Sequence, residues 1–392
     1  MGKRIFIARL CRKDKGKNLR YVIIGNSAAG IGAVEGIRQV DGQGVITIIT
    51  SEREHTYSRP LISYLLQGKT DEDKMRYRPA HFYDDNNCTL VYGTVIQILP
   101  NEKQVALEDG SKIPYDKLLV ASGSSAFTPP IEGLDTVKSK HHFMTLNDAR
   151  NLKNAIARDS RVLIVGAGLI GLKCAEGILN KVGSVTVVDL APRILSAILD
   201  EESAAIVQKH LENQGIEFKL ESKAEDFGNY DIVVIAAGVR PNTALLNGIA
   251  DINRGIIVNE KSETSHPDIY AAGDCTESID KASGQRKIMA LLPNAYMQGE
   301  AAGINMAGGD KACDKLIPMN AVGLCGLHII TAGNYTGEVL CKDNNRFFIS
   351  DNKLNGYILI DNIEKAGVYT RLVREKRALE DVTEIIREAL RA

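Results

Sequence analysis

One run of residues occurs twice, and that repetition constrains the fold more than any other feature of the chain. Arg20-Tyr-Val-Ile-Ile-Gly25-Asn-Ser-Ala-Ala-Gly30 returns as Arg161-Val-Leu-Ile-Val-Gly166-Ala-Gly-Leu-Ile-Gly171. In the same register, Glu35-Gly36-Ile37 returns as Glu176-Gly177-Ile178. A further pair comes later in the same order, Tyr115-Asp116-Lys-Leu-Leu-Val-Ala-Ser-Gly123 and Tyr230-Asp231-Ile-Val-Val-Ile-Ala-Ala-Gly238. A single short match is common, but two ordered matches indicate two versions of one unit.

Each version reads as strand, glycine turn and helix. Residues 22–24 and 162–165 are short apolar runs rich in β-branched side chains, as expected of strands buried on both faces. Ile31, Val34 and Ile37 then form one helical stripe, and Ile170, Cys174, Ile178 and Leu179 form the other. In such a unit the first glycine permits a tight turn, and a small second residue lets a pyrophosphate approach the backbone. The third glycine lets helix and strand pack closely. The anion then sits on unsatisfied N–H groups at the positive helix terminus. Gly25, Ser27, Ala28 and Gly30 form the first expected cradle, with serine small enough to replace the middle glycine. Gly166, Gly168, Leu169, Ile170 and Gly171 form the second.

Each cradle is succeeded by an acid. Residues 185–188 read as a strand ending at Asp189, about twenty residues past the first glycine, where a carboxylate accepts from a ribose 2′-OH. Its charge repels a 2′-phosphate and favours NADH over NADPH, a preference that nearby Arg193 could soften. The plainer alternative is a helix-capping or solvated Asp189. Residues 45–50 lead to Glu52, the ribose acceptor of the first copy or else a surface-loop glutamate.

Composition narrows the setting. Lys and Arg number 48 against 49 Asp and Glu, for a net charge of -1. That excludes a general electrostatic grip on nucleic acid or an anionic membrane. No run approaches the roughly 18 to 20 apolar residues of a membrane span. The 392 residues are enough for about two to three domains. Cys11, Cys88, Cys174, Cys275, Cys313, Cys325 and Cys341 are scattered with no CxxC pair, which favours a reducing cytoplasm and small buried hydrophobes over disulfides, zinc or an iron–sulfur cluster. The histidines show no metal-ligand spacing either. Residues 1–19 stand apart: Lys3, Arg4, Arg9, Arg12, Lys13, Lys15 and Lys17 face only Asp14. This reads as a loose leader, or as a basic arm for an acidic partner.

These motifs resemble those of the pyridine nucleotide–disulfide oxidoreductase-like flavoproteins, over roughly residues 20–320. The resemblance implies an α/β fold of two Rossmann-like dinucleotide-binding domains, FAD in the first and NADH in the second, plus a small C-terminal α+β domain. Thr264-Ser-His-Pro-Asp268-Ile-Tyr-Ala-Ala-Gly273-Asp274 is similar to the family's late FAD motif. Asp274 would accept from the flavin ribitol, or alternatively cap a following helix. The resemblance adds Val95, Ala121, Ser122, Gly123, Gly238 and Gly273 to the cofactor-binding set. It divides the chain into a discontinuous FAD domain over 20–125 and 244–320, an NAD domain over 126–243, and the tail over 321–392.

One departure matters for function. Where the disulfide reductases carry redox cysteines, this chain reads Glu54-His-Thr-Tyr-Ser-Arg59-Pro60-Leu, with no cysteine. Without a thiol to take electrons from flavin, disulfide and thiol-based peroxide reduction lose their mechanism. The segment resembles instead the branch of NADH:rubredoxin reductases and nitrite-reductase-like flavoproteins. There Arg59, with Pro60, would lie near the isoalloxazine; a salt-bridged surface arginine is the alternative. Lys173 stands where many relatives have glutamate, so no flavin-facing carboxylate carries over.

In the tail, residues 338–341, 347–350 and 357–360 read as strands, with a turn at 351–353 or at Asn355-Gly356. Val382, Ile385, Ile386, Ala389 and Leu390 form a helical stripe. Relatives use such a cap for homodimer contacts or to cover the flavin; plain packing is the alternative. The expectation is a cytoplasmic FAD-dependent NADH oxidoreductase that needs no catalytic side chain and feeds a small one-electron iron–sulfur carrier such as rubredoxin. Direct reduction of oxygen, a quinone or an oxyanion is one rival. A flavin-holding subunit of a larger complex is the other.

Overall fold

The structure, a computed structural model, describes residues 18–379. The basic leader up to residue 17 and the stripe over 382–390 lie outside the described residues. Two compact units emerge: residues up to Tyr57 with Arg76–Ser124 and Pro241–Leu316, and Ser58–Met75 with Ser125–Arg240 and the chain from Ile317 onward.

The first unit is built on a five-stranded parallel sheet. Its strands run in the order Ile269–Ala271, Lys117–Val120, Arg20–Ile24, Val45–Thr50 and Cys88–Tyr92. Alternate residues of the central strand enter two cores, Tyr21 and Ile23 on one face and Val22 and Ile24 on the other. This is why the run lacks polar alternation. The helix Ala28–Val40 returns over the first face and packs on the helix Leu292–Met306. Their backbones touch: a Cβ on Gly32 would lie 2.4 Å from Tyr296 O, and one on Gly303 would lie 2.2 Å from Ala33 O.

The second unit repeats this plan with Ile216–Lys219, Ser184–Val188, Arg161–Val165, Ile232–Ile235 and Lys140–His141, again all parallel. The matched motifs therefore occupy matched places. Even the residues that open them pair alike. Arg20 bonds Asp116 through its backbone N–H (2.9 Å) and Nη2 (2.8 Å), and Arg161 does the same to Asp231 (2.8 and 3.1 Å).

The chain from Ile317 adds an antiparallel sheet ordered Met319–Leu324, Leu327–Gly333, Lys353–Ile360, Asn345–Ser350 and Glu338–Lys342. The helix Ala366–Glu375 packs on it. Contacts group this tail with the second unit rather than setting it apart. Ser58–Met75 joins the same unit because its helix Ile62–Gln67 packs on the helix Leu169–Ile178, where a Cβ on Gly177 would lie 3.2 Å from Leu66 Cβ. Among the described residues, no helix is long and apolar enough to cross a membrane.

Candidate functional site: two uncapped glycine turns

In open parallel sheets, ligands bind beyond the carboxyl ends of the strands, where the strand order reverses. In both units that place is the glycine turn. Gly25 holds a left-handed φ of 115° and donates its N–H to Ile49 O (2.9 Å). A Cβ there would fall 2.1 Å from Ala121 O, so only glycine closes the turn. Gly166 repeats this at φ 116°, with its N–H on Val188 O (2.8 Å) and an imaginary Cβ 2.3 Å from Ala236 O. The third glycines press their helices onto the turns: Cβ atoms on Gly30 and Gly171 would lie 2.2 and 2.0 Å from the Gly25 and Gly166 carbonyl oxygens.

Each turn leads into a helix whose N-terminus has no acceptor of its own. Ser27 and Gly168 are the N-caps of Ala28–Val40 and Leu169–Ile178; neither helix has a side-chain cap or an acid in its first turn. Ile62–Gln67, Leu292–Met306 and Ala366–Glu375 likewise carry no side-chain cap or first-turn acid, so it is the glycine turn before the helix that sets these two apart; two other helices are capped by their own side chains. Thr145 and Asp148 form a reciprocal capping box on Leu146–Ala155, and Asp200 accepts from Ser203 N (3.0 Å) on Glu201–Asn213. First-turn N–H groups without an acceptor beside a tight backbone suit an external anion. Gly168 strengthens the fit, because it is exposed and a Cβ there would meet nothing within 4 Å. These residues fit two dinucleotide pyrophosphates.

The acids sit where the spacing places them, with different duties. Asp189 Oδ2 accepts from Ala167 N (2.6 Å) and Oδ1 from Ala191 N (2.8 Å), so the carboxylate braces its own turn and caps no helix. Glu52 accepts from the Tyr57 hydroxyl (2.7 Å) and is half-buried. Asp274 receives the Ser124 hydroxyl (3.4 Å). The element after it is the strand Thr276–Ile279, so the helix that Asp274 might have capped does not exist.

The first unit contains Gly25, Ser27, Ala28, Gly30, Glu52, Val95, Ala121, Ser122, Gly123, Gly273 and Asp274; the second contains Gly166, Gly168, Leu169, Ile170, Gly171, Asp189 and Gly238. Arg59 and Pro60 belong to the second unit, not to the one holding the first turn. Both lie in the short 3₁₀ helix Arg59–Leu61, and Arg59 Nη1 donates to Met144 O (3.3 Å). Lys173 pairs with Glu176, donates to Gly323 O (3.0 Å) and lies over the Tyr64 ring (4.7 Å).

Three supporting residues escape sequence reasoning. Asn242 clasps the first unit's strand-end glycine: it takes the Ser122 hydroxyl on its carbonyl (2.7 Å), returns its amide to Ser122 O (2.8 Å) and donates its N–H to Gly123 O (2.9 Å). Gln298 Oε1 receives Gly273 N (2.7 Å) and steadies the turn before Asp274. Tyr83 donates to Asn26 Oδ1 (3.0 Å) inside the first glycine turn. Only the Pro241-Asn242 dipeptide carries a local signal, that of a turn.

The cysteines divide. Cys174 and Cys275 are buried, as expected, but Cys88, Cys313 and Cys325 are half-buried and Cys341 is exposed, correcting the reading of these four as buried hydrophobes; Cys11 lies outside the described residues. Burial pushes the Cys88 and Cys313 thiols up to about 12 and raises Cys174 and Cys275 as well, so these four are not thiolates at neutral pH.

Comparison with known proteins places the chain. A family model described as pyridine nucleotide-disulphide oxidoreductase matches residues 19–299. The epsilon subunit of NADH-dependent phenylglyoxylate dehydrogenase from Aromatoleum evansii is 29% identical over 93% of each chain. An NADH oxidase from Methanocaldococcus jannaschii is 35% identical over 74% of this chain and 70% of its own. The crystal structure of NADH:rubredoxin oxidoreductase from Clostridium acetobutylicum superposes with a TM-score of 0.79 at 25% identity, covering 94% of this chain and 98% of that one.

Proposed function

Because the chain belongs to the pyridine nucleotide-disulphide oxidoreductase family, and is an NAD(P)H-dependent FAD oxidoreductase, we propose that it oxidises NADH and delivers the electrons to a small one-electron iron–sulfur carrier such as rubredoxin. The domain over 20–125 and 244–320 would hold FAD and that over 126–243 would hold NADH. The observation that carries this reading is the pair of uncapped glycine turns in a chain without cysteine over residues 53–87. Bound FAD supplies a hydride acceptor that can release electrons singly.

The chain's own work is binding and alignment. Gly25, Ser27, Ala28 and Gly30 would present N–H groups to the FAD pyrophosphate, with Glu52 for its ribose. Ala121, Ser122 and Gly123, held by Asn242, would line the crevice with Val95 and Gly273, and Asp274 would accept from the ribitol. Gly166, Gly168, Leu169, Ile170 and Gly171 would take the NADH pyrophosphate. Asp189 would accept from the adenosine ribose while repelling a 2′-phosphate, and Gly238 would border that crevice.

A second reading has an observation of its own. The Aromatoleum relative matches over 93% of each chain and is named as a subunit, which supports a flavin-holding component of a larger complex. Anaerobic addition of NADH to the isolated chain separates the readings. Fast bleaching of the flavin band, followed by turnover only when rubredoxin is supplied, is expected. Turnover with oxygen alone would favour an oxidase such as the Methanocaldococcus relative, and sluggish bleaching would favour the subunit. Replacing Asp189 with Ala should raise the NADH requirement about tenfold or more and leave FAD content intact, consistent with loss of a hydrogen bond to a charged group.

A further inference from the structure

The loop over residues 189–200 leaves the strand Ser184–Val188 and turns back on the second glycine turn. Both peptide groups of Ala167, the residue between Gly166 and Gly168, are bound to it: Ala167 N–H donates to Asp189 Oδ2 (2.6 Å) and Ala167 O accepts from Leu195 N (2.9 Å). Leu195 reaches that position in the left-handed region (φ 49°), a conformation that costs a branched side chain about 1 kcal/mol or more. Something must hold it there. Burial contributes, since Ile194, Leu195 and Leu199 are almost completely enclosed.

The rest comes from the C-terminal sheet. The Tyr335 hydroxyl donates to Ile198 O (2.7 Å), and its ring stacks on Phe348 (4.8 Å between centroids, 29° between planes). Arg346, with a side chain only 13% exposed, pairs with Asp200 (3.2 Å) and with Glu202. Asp200 is both the end of the loop and the N-cap of Glu201–Asn213, so the arginine fixes the loop and the helix it feeds into. The same sheet also reaches the far side of the turn. Cys325 N donates to Glu176 Oε1 (2.9 Å), and Lys173 donates to Gly323 O (3.0 Å); both Glu176 and Lys173 lie on the helix that starts at the turn.

We infer that Tyr335 and Arg346 are positioning residues for the pyridine nucleotide, acting through the 189–200 loop on Ala167 and Asp189. The inference rests on the reading that the second turn holds NADH. Ile198 and Asp200 lie beyond Leu195, so releasing them frees the segment that keeps Leu195 N on Ala167 O. The consequence is a turn whose first N–H groups no longer converge on one anion. The affinity for nucleotide falls, while the chemistry after binding is unchanged.

The test uses the full FAD-loaded chain with NAD⁺ as a calorimetric probe, because NAD⁺ binds without reducing the flavin. Tyr335→Phe removes one oxygen and should raise the NAD⁺ Kd about threefold to tenfold; Arg346→Met should raise it tenfold or more, and Arg346→Lys should recover part of the loss. In anaerobic stopped flow, the NADH concentration for half-maximal flavin reduction should rise in step while the limiting rate holds. Gly168→Ala serves as the control on the underlying reading. If Gly168→Ala binds NAD⁺ as the wild type does, the assignment of the second turn to NADH is wrong. If Gly168→Ala loses binding while Tyr335→Phe and Arg346→Met keep wild-type Kd values, the positioning role is overturned. Should Arg346→Met fail to fold, the single-atom change Tyr335→Phe decides the matter alone.

Discussion

Gly168→Ala separates fold from ligand. Gly168 has φ −81° and ψ −177°, which alanine adopts freely, and its added methyl would meet nothing within 4 Å. The cost to the folded chain is the poorer N-cap preference of alanine, about 1 kcal/mol or less, worth no more than about 4 °C in Tm. The nucleotide would experience the change differently. A methyl at the start of the helix Leu169–Ile178 pushes a phosphate oxygen outward by roughly 1 Å, which takes an N–H···O contact of about 2.9 Å past hydrogen-bond range. Losing one such bond to a charged group costs about 1.5–3 kcal/mol, or roughly a tenfold to 150-fold rise in Kd. Gly171→Ala provides the contrast. Its Cβ would sit 2.0 Å from Gly166 O, so the helix must shift even without ligand and Tm should fall sharply. Thermal melting with NAD⁺ titration and flavin absorbance reads all three quantities. A Kd for Gly168→Ala within threefold of wild type would refute the pyrophosphate assignment, and loss of FAD instead would mean that the cofactors are assigned to the wrong halves.

Charge and exposure give two more expected outcomes. The hydrogen bond from Arg20, aided by the backbone N–H of the same residue, holds the Asp116 carboxyl below its usual range despite partial burial. A depressed carboxyl stabilises the fold above its unfolded value of about 3.9 and loses that contribution as pH falls through the folded value. The Tm should therefore fall more steeply with decreasing pH below about 4 in the wild type than in Asp116→Asn, and identical acid limbs of the Tm–pH profile would discard the pair as a stabiliser. Among the described cysteines, Cys341 is exposed whereas Cys174 and Cys275 are buried. A thiol reagent combined with peptide mass spectrometry should modify Cys341 within minutes and reach Cys174 and Cys275 only on unfolding; early labelling of either would contradict their burial.

The glycine turns are legible in the sequence because a pyrophosphate is held by backbone, and backbone of that shape demands glycine at fixed intervals. The strands Arg20–Ile24 and Arg161–Val165 are legible for a related reason, since burial on both faces leaves no room for polar alternation. The features that stay hidden are long-range. Asn242 serves Ser122 across 120 residues, and nothing at either position announces the other. The hairpin of Met319–Leu324 and Leu327–Gly333 escapes the sequence pattern because its alternation is broken by glycine and small residues. Of the two candidate turns in the tail, Asp351 and Asn352 make the real one, both left-handed at φ 51° and 56°. The Asn355-Gly356 signal lies inside the strand Lys353–Ile360, where a Cβ on Gly356 would fall 2.4 Å from Asn334 O. There the glycine permits close approach of another backbone rather than reversal of its own.

The two copies agree and differ at opposite ends of their strands, and that pattern bears on what they hold. At the amino ends, Arg20–Asp116 and Arg161–Asp231 repeat nearly bond for bond, as expected where the only task is fixing the register of neighbouring strands. At the carboxyl ends the copies part. Asp189 spends both oxygens on its own turn and loop, whereas Glu52 takes a tyrosine hydroxyl; the middle position is an exposed glycine in one copy and a half-buried serine in the other. Drift would blur both ends alike. Divergence at the ligand end of a scaffold whose register pairs are repeated fits two different dinucleotides, one held throughout turnover and one exchanged at every cycle.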